Sequence, residues 1–134
     1  MPDISLSGMR VLVMEDEFLI AMDVEQICRD HGAADVVIVR TLDDLGPDPL
    51  AGGPFNVAIL DVMLSGASTT DFARKLSESH VPYIFATGYP GADASLSAFS
   101  HIEVVNKPYA SDVLVEALAR AMTQRHQAAF DPIT

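Results

Sequence analysis

The stretch that decides the fold is Phe55-Asn56-Val57-Ala58-Ile59-Leu60-Asp61, which follows Gly52, Gly53 and Pro54. A short apolar run with β-branched residues between turn-forming residues is typical of a buried strand. The run ends in the carboxylate of Asp61, which we therefore expect at the carboxyl end of the strand, just outside the core. Ligand sites of open α/β sheets are built at that edge. A lone aspartate there usually caps a helix, so the ends of the other strands decide its role.

Apolar strand patterns alternate with helical patterns along the rest of the chain. We predict strands at 10–14, 35–40, 55–61, 82–87 and 102–107, helices at 17–31, 69–79, 92–99 and 111–127, and a short imperfect helix with a loop between 41 and 53. This alternation indicates an α/β fold with a doubly wound parallel sheet, and the near-continuous apolar strands fit burial on both faces. The predicted domain covers residues 9–127, after a flexible lead at 1–8 and before a tail at 128–134.

Composition narrows the classes of function. The chain has 134 residues, of which 49% are hydrophobic, and this suits one globular domain. Its net charge of -11 argues against binding to nucleic acid or to an anionic membrane surface, because both need a basic footprint. Cys28 is the one cysteine, so neither a disulfide within the chain nor a cysteine zinc site is expected. Without a signal peptide or an apolar stretch near the ~20 residues of a membrane span, we expect a cytoplasmic protein.

Polar side chains follow four of the predicted strands at the points where these strands end. Glu15 and Asp16 follow the first strand, Asp61 the third, Thr87 the fourth and Lys107 the fifth. Because the carboxyl ends of parallel strands share one edge of the sheet, we expect these groups to face one another. Three clustered carboxylates repel one another and need a cation. An all-oxygen cluster suits Mg²⁺, which uses one or two protein carboxylates and completes its shell with water and phosphate oxygens.

The other members of this set favour a phosphoryl ligand. A lysine ammonium and a threonine hydroxyl are ordinary partners of phosphate oxygens. One of the carboxylates can act as a nucleophile, since aspartyl phosphates are known covalent intermediates. The charge of three carboxylates is balanced by Mg²⁺ and Lys107 together. The residues therefore predict a site that holds a phosphoryl group beside a metal ion.

At these residues the sequence resembles the receiver domain of two-component response regulators. The matching residues are Glu15-Asp16 after the first strand, Asp61 after Ile59-Leu60, Thr87 after Phe85-Ala86 and Lys107-Pro108 after Val104-Val105. The resemblance covers residues 9–127 and implies a flavodoxin-like (βα)5 sheet with the strand order 2-1-3-4-5. The stretch from Phe85 to Tyr89 is similar to the FAT GUY group of receivers, which are often single-domain.

The resemblance implies a role for each member of the acid cluster. Asp61 accepts a phosphoryl group from a phosphohistidine donor, which is a sensor histidine kinase or a histidine phosphotransfer protein. Asp16, Asp61 and the backbone carbonyl of Met63 bind Mg²⁺ directly, and Glu15 acts through water.

The resemblance also implies how the signal leaves the site. Lys107 pairs with the phosphate, and Thr87 turns to hydrogen-bond a phosphoryl oxygen. Many receivers have a switching aromatic residue three positions before this lysine, where the present chain has Val104. Tyr89 is a candidate for the moving aromatic instead, and the alternative is a loop tyrosine that packs over small residues.

The leading hypothesis is a stand-alone receiver that is not an enzyme on other substrates. Its output would be phosphorylation-dependent binding of a downstream protein partner, or onward transfer of the phosphoryl group. The first alternative is a metal-dependent phosphohydrolase, but such enzymes commonly have a second acid two residues after the nucleophile, where this chain has Met63. The second is a scaffold without chemistry, which would not need an acid cluster. A flavodoxin fits poorly, because acids rather than a phosphate-binding loop follow the first strand.

Overall fold

The fold is seen in a computed structural model, which describes residues 6–46, 54–88, 99, 101–107 and 110–128, with side chains described as far as residue 123. The elements are β1 (Arg10–Met14), α1 (Phe18–Asp30), β2 (Asp35–Val39), a 3-10 helix (Leu42–Leu45), β3 (Val57–Asp61), β4 (Met63–Leu64), β5 (Ala67–Ser68), α2 (Thr70–Glu78), β6 (Tyr83–Thr87), β7 (Val104–Asn106) and α3 (Ser111–Ala128). None of the helices in these ranges is long and apolar enough to cross a membrane.

Five of the strands in the described ranges form one parallel sheet in the order β2-β1-β3-β6-β7. Counted within this sheet alone, the order is 2-1-3-4-5, as predicted. Parallel neighbours need crossover connections, and the right-handed crossover rule then puts helices on both faces of the sheet. The predicted flavodoxin-like fold class is therefore confirmed.

The sheet is buried on both faces, and alternate residues of each strand pack into two separate clusters. The first cluster lies under α2, and its members include Leu12, Met14, Leu60, Phe72, Leu76 and Phe85. The second lies under α1 and α3, and its members include Val11, Val13, Val24, Ile59, Leu114 and Leu118. All five residues of β3 are buried, which is why its sequence is continuously apolar up to Asp61.

The segment 62–68, which was predicted to be a loop, contains a small hairpin. Here β4 and β5 pair antiparallel, and Met63 lies opposite Ser68. Ser65 and Gly66 form the turn with φ angles of 50° and 84°. Positive φ at both central residues is the requirement of a type I′ turn, whose twist suits a two-residue hairpin. Strands of two residues are too short to show an alternating pattern, so the sequence did not reveal them.

Three other predicted segments have different outcomes: one is shorter than predicted, one is not tested, and one is observed. The last strand, predicted at 102–107, is confined to Val104–Asn106. The short helix predicted at 92–99 lies outside the described residues except for Phe99, so it stays a prediction. The weak segment after β2 does form a short helix, and the Thr41 hydroxyl caps it by accepting a hydrogen bond from the Asp44 amide at 3.3 Å.

The described part of the chain begins at Leu6, three residues before the predicted start of the domain. The Leu6 side chain is fully buried in the cluster beneath α1 and α3. Its amide donates to the His31 carbonyl at 2.7 Å, and the Gly8 amide donates to the Gly32 carbonyl at 3.2 Å. Residues 6–8 are therefore packed against the end of α1 rather than part of a loose lead.

Truncation of Leu6 tests whether this segment contributes to stability. We expect Leu6→Ala to lower the free energy of unfolding by about 2–5 kcal/mol, because it removes a buried side chain and leaves a cavity. Leu19→Ala is the matched control, since Leu19 is 79% exposed and its loss should change stability by no more than about 0.5 kcal/mol. Urea unfolding measures both variants. Equal, small effects would show that residues 6–8 do not belong to the folded domain.

Candidate functional site

The parallel register brings the ends of four strands to one edge of the sheet. Asp61 ends β3 opposite Ala86 of β6, and Thr87 of β6 lies opposite Asn106 of β7. Lys107 follows directly, and its amide donates to the Thr87 carbonyl at 2.9 Å. Glu15 follows β1 on the other side of β3. The sheet therefore delivers acid groups and the lysine to the same place, as the pattern of strand ends predicts.

The Lys107 side chain joins two of the acids. Its Nζ lies 2.7 Å from Oε1 of Glu15 and 3.0 Å from Oδ2 of Asp61. The three side chains are between 3% and 11% exposed, so these are nearly buried ion pairs. Removing one partner of a buried pair leaves an uncompensated charge, which is strongly destabilising. Glu15 has a second hydrogen bond at Oε2, donated by the Glu17 amide at 3.0 Å.

Burial and neighbouring charges shift the pKa values of Asp61 and Lys107. Burial raises the pKa of Asp61 to about 7, and the negative charge of Glu15 also raises it, whereas the hydrogen bond from Lys107 lowers it. Burial alone would lower the pKa of Lys107, but its contacts with Glu15 and Asp61 outweigh burial and raise it. Lys107 is therefore a permanent cation near neutral pH. A cation beside Asp61 would favour its ionised form.

Three carboxylates form a possible metal site next to the lysine. One oxygen each of Glu15, Asp16 and Asp61 lies within 4.8 Å of the others. Opposite ligands of an octahedral Mg²⁺ ion are about 4.2 Å apart, since each bond is about 2.1 Å long. The spacing of the three carboxylates is therefore compatible with a small oxygen-binding ion between them. Carboxylate oxygens are also the ligand type that Mg²⁺ prefers, so the residues present fit this ion.

A backbone amide and a guanidinium group from two neighbouring segments hold Asp16. The Ser65 amide, in the turn between β4 and β5, donates to Oδ2 of Asp16 at 2.7 Å. The Arg40 guanidinium at the end of β2 donates to the Asp16 carbonyl at 3.1 Å. The Ser65 hydroxyl in turn donates to the Arg40 carbonyl at 3.0 Å. Asp16 is therefore positioned by two segments that are distant from it in the sequence.

A buried hydroxyl fixes the backbone at Asp61 from behind. Thr69 is fully buried, and its Oγ1 donates to the Asp61 carbonyl at 2.6 Å. The same oxygen lies 3.2 Å from the Val62 carbonyl, which also accepts from the Thr69 amide. This contact ties the end of β3 to the start of α2 and so limits the positions open to Asp61.

The site opens into a cavity of about 810 Å³. Its lining residues are Asp16, Glu17, Ile20, Asp61, Met63, Gly66, Gly88 and Lys107. The Met63 side chain is part of this wall, and Met63 is 43% exposed. Whether its carbonyl binds a metal stays a prediction. A cavity of this size at the carboxyl edge of the sheet has room for a phosphoryl group and the end of a donor side chain.

Of the positions that the sequence analysis connected with switching, the structure describes Thr87 and Val104 but not Tyr89. Thr87 is buried, with 3% of its surface exposed, one residue past the partner of Asp61 in β6. Val104, which stands where many receivers have an aromatic, is 39% exposed. Tyr89 lies outside the described residues, so its proposed movement stays a prediction.

Sequence reasoning missed three residues that shape the site, namely Arg40, Ser65 and Thr69. Arg40 and Ser65 both donate hydrogen bonds to Asp16. In each contact one partner is a backbone group, the Asp16 carbonyl in the first and the Ser65 amide in the second. Thr69 was predicted only as the start of a helix. Gly66 beside Ser65 was a weak signal for an unusual turn. The sequence could not show that the Ser65 amide donates a hydrogen bond to Asp16, because every residue except proline has such an amide.

The raised pKa of Asp61 predicts how stability depends on pH without metal. The folded chain keeps the Asp61 proton up to about pH 7, whereas a free aspartate loses it near 3.8. This contribution to stability is fully present below the unfolded pKa and is lost as the pH rises through the folded pKa. In a chelating buffer, the free energy of unfolding should therefore fall as the pH rises from about 4 to about 7, with an Asp61 contribution of at most about 1.4 kcal/mol per pH unit.

Asp61→Asn is the control for this pH dependence, because its side chain does not titrate. Urea unfolding of both proteins at several pH values measures the difference. We expect a shallower decline for Asp61→Asn. Identical pH dependence would show that Asp61 titrates near its ordinary pKa in the folded chain.

The Thr69 contact predicts a stability effect of its hydroxyl group. Thr69→Val preserves the shape of the side chain but removes the donor to the buried Asp61 carbonyl. We expect a loss of about 1–3 kcal/mol in the free energy of unfolding, because a buried acceptor loses its partner. Thr69→Ser keeps the hydroxyl and should lose less. A larger loss in the serine variant than in the valine variant would mean that methyl packing, rather than the hydrogen bond, determines the effect.

Comparison with known proteins supports the reading of the fold. No protein-family model matches the chain, and no curated protein matches it by sequence. Among solved structures, a CheY-like response regulator receiver domain protein from Methanospirillum hungatei matches with a TM-score of 0.75 and 22% identity over 91% of this chain and 99% of that one. A response regulator receiver protein from Sinorhizobium medicae matches with a TM-score of 0.76 and 19% identity over 90% and 99%.

The anti-anti-sigma factor PhyR from Bartonella quintana is also similar, with a TM-score of 0.73 and 27% identity. The match covers 93% of this chain and 53% of PhyR, so the present chain corresponds to about half of that protein. The described chain thus has the fold of response regulator receiver domains.

Proposed function

We propose that this chain is a response regulator receiver domain whose Asp61 accepts a phosphoryl group from a phosphohistidine donor in the presence of Mg²⁺. The observation that carries the proposal is the contact of Lys107 with both Glu15 and Asp61, beside Asp16, at the carboxyl edge of a receiver fold. The stretch from Phe85 to Tyr89 supports a further assignment to the FAT GUY-like group.

Mg²⁺ would be held by Asp16, Asp61 and the Met63 carbonyl, with Glu15 acting through water. When bound, the ion neutralises the charge that develops on the oxygens of the transferring phosphoryl group. The chain's own residues position the acceptor and the phosphate. Asp16 is fixed by the Ser65 amide, and Asp61 is fixed through its backbone by Thr69.

Asp61 acts as the nucleophile in this proposal. One of its carboxylate oxygens attacks the phosphorus of the donor, so that a new O–P bond forms while the P–N bond to the donor imidazole breaks. The imidazole leaves with the electron pair of that bond and takes a proton from solvent. The nucleophile must be the ionised carboxylate, and cations beside Asp61 favour this form over the protonated one.

Lys107 supplies a cation both before and after the transfer. In the unphosphorylated chain its Nζ lies 3.0 Å from Asp61, so it is already at the acceptor. An aspartyl phosphate carries more negative charge than the carboxylate that it replaces, and the ammonium group then pairs with a phosphoryl oxygen. Thr87, buried on the neighbouring strand, would supply a hydroxyl to another oxygen and change its position in response.

We also propose that the output of this domain is the binding of a protein partner rather than a reaction on another substrate. Met63 occupies the position where a phosphohydrolase of the aspartate type would need an acid, and it lines the cavity without a proton to donate. We therefore propose chemistry confined to the chain's own phosphorylation and dephosphorylation. The likeness to an anti-anti-sigma factor makes a protein the kind of partner that we propose.

Intact mass spectrometry after incubation with acetyl phosphate tests the proposed function. The native chain should gain the mass of one phosphoryl group with Mg²⁺ and none in a chelating buffer. Asp61→Asn should gain none under either condition, because the amide is not a nucleophile for this transfer. Asp71→Asn is the matched control and should behave as the native chain, since the Asp71 side chain is 93% exposed on α2 and pairs only with Arg74 among the described residues.

Two results would contradict the proposal. Phosphorylation of Asp61→Asn to the native level would mean that another residue is the acceptor. Full phosphorylation of the native chain without a divalent metal would mean that the acid cluster serves another purpose.

A further inference from the structure

The hairpin formed by β4 and β5 has an unusual residue at its turn. Ser65 has a φ of 50°, in the left-handed region that residues other than glycine, asparagine and aspartate rarely adopt. Gly66 beside it accepts its φ of 84° without penalty. A strained residue persists only where its surroundings determine it, so the contacts of Ser65 are of interest.

Ser65 is held by contacts from both its backbone and its side chain. The amide donates to Oδ2 of Asp16 at 2.7 Å, and the hydroxyl donates to the Arg40 carbonyl at 3.0 Å. Arg40 completes a closed set by donating to the Asp16 carbonyl at 3.1 Å. The turn is thereby tied to the ends of β1 and β2, next to the carboxylate cluster.

We propose that Ser65 is a positioning residue that leaves one oxygen of Asp16 to a metal ion and so makes the site prefer Mg²⁺ over Ca²⁺. The inference rests on the metal site of the proposed function. The Ser65 amide occupies Oδ2 of Asp16 with a hydrogen bond of 2.7 Å. In this proposal, Oδ1 is the oxygen left for the ion. Binding of one ion through both oxygens of Asp16 would compete with this hydrogen bond.

The two ions differ in what they need from a carboxylate. Mg²⁺ requires six ligands in a near-ideal octahedron at about 2.1 Å and binds carboxylates through one oxygen. Ca²⁺ takes six to eight ligands at about 2.3–2.6 Å in a flexible shell that often includes a carboxylate bound through both oxygens. A carboxylate fixed by a backbone amide therefore suits Mg²⁺, whereas a carboxylate free to rotate would accept either ion.

Calorimetric titration with Mg²⁺ and with Ca²⁺ tests the proposal. Ser65→Pro removes the amide hydrogen and cannot adopt the positive φ, so Asp16 loses its partner. We expect its affinity for Mg²⁺ to fall by about 10-fold or more, the usual effect of removing a group that orients a metal ligand. The affinity for Ca²⁺ should change less, so the ratio of the two dissociation constants shifts toward Ca²⁺.

Two further variants separate the amide from other features of the hairpin. Ser65→Gly keeps the amide and suits the positive φ, so it should retain the preference for Mg²⁺ although the bond to Arg40 is lost. Ser68→Ala is the matched control, because the Ser68 hydroxyl in the same hairpin contacts Thr70 at the start of α2. An unchanged preference in Ser65→Pro, or a loss of preference in Ser65→Gly, would overturn the proposal.

A measurement on the native chain keeps the proposal testable if Ser65→Pro does not fold. Amide hydrogen exchange, followed by NMR in Mg²⁺, should show that Ser65 exchanges at least about 10-fold more slowly than an unstructured amide, because its hydrogen is bonded to Asp16. Exchange at the unstructured rate would overturn the proposal. A native chain that binds no Mg²⁺ would refute the proposed metal site itself, which is a different result from binding without selectivity.

Discussion

The site depends on one buried cation, the Lys107 ammonium group, which lies between Glu15 and Asp61. The negative charge of Glu15 raises the pKa of Asp61, and the hydrogen bond from Lys107 lowers it, so the lysine favours the ionised form of the acceptor. The lysine holds both acids in place while leaving an excess of negative charge, because Asp16 adds a third carboxylate nearby. That excess would suit a divalent cation, and in the proposed function the lysine is then available to the phosphate.

The register of the parallel sheet creates this contact. Asp61 and Lys107 come from β3 and from the end of β7, with β6 between them, and the Lys107 amide is bonded to Thr87 of β6. A slip of one residue in any of these strands would turn the side chains to the opposite face. The two apolar clusters on the faces of the sheet therefore do more than stabilise the chain, because they fix the register on which the acid cluster depends.

Much of this arrangement was predictable from the sequence, and the limits of prediction have a physical cause. The strands were visible because burial on both faces makes them continuously apolar, and the acids were visible because Asp61 and Glu15 interrupt such runs abruptly. The contacts of Ser65 with Asp16 were not visible, because a backbone amide has no signature in the sequence. Leu6 was missed for a related reason: the lead at 1–8 is too short to show a clear hydrophobic period, even though the Leu6 side chain is fully buried.

The central claim is that Asp61 becomes an aspartyl phosphate, and the chemistry of that group offers the most direct test. After incubation with acetyl phosphate and Mg²⁺, borohydride reduces an acyl phosphate to an alcohol, so an aspartyl phosphate becomes homoserine. Peptide mass spectrometry should then find homoserine at position 61 and aspartate at position 16. A phosphate that survives reduction on a serine or threonine, or homoserine at another position, would contradict the account.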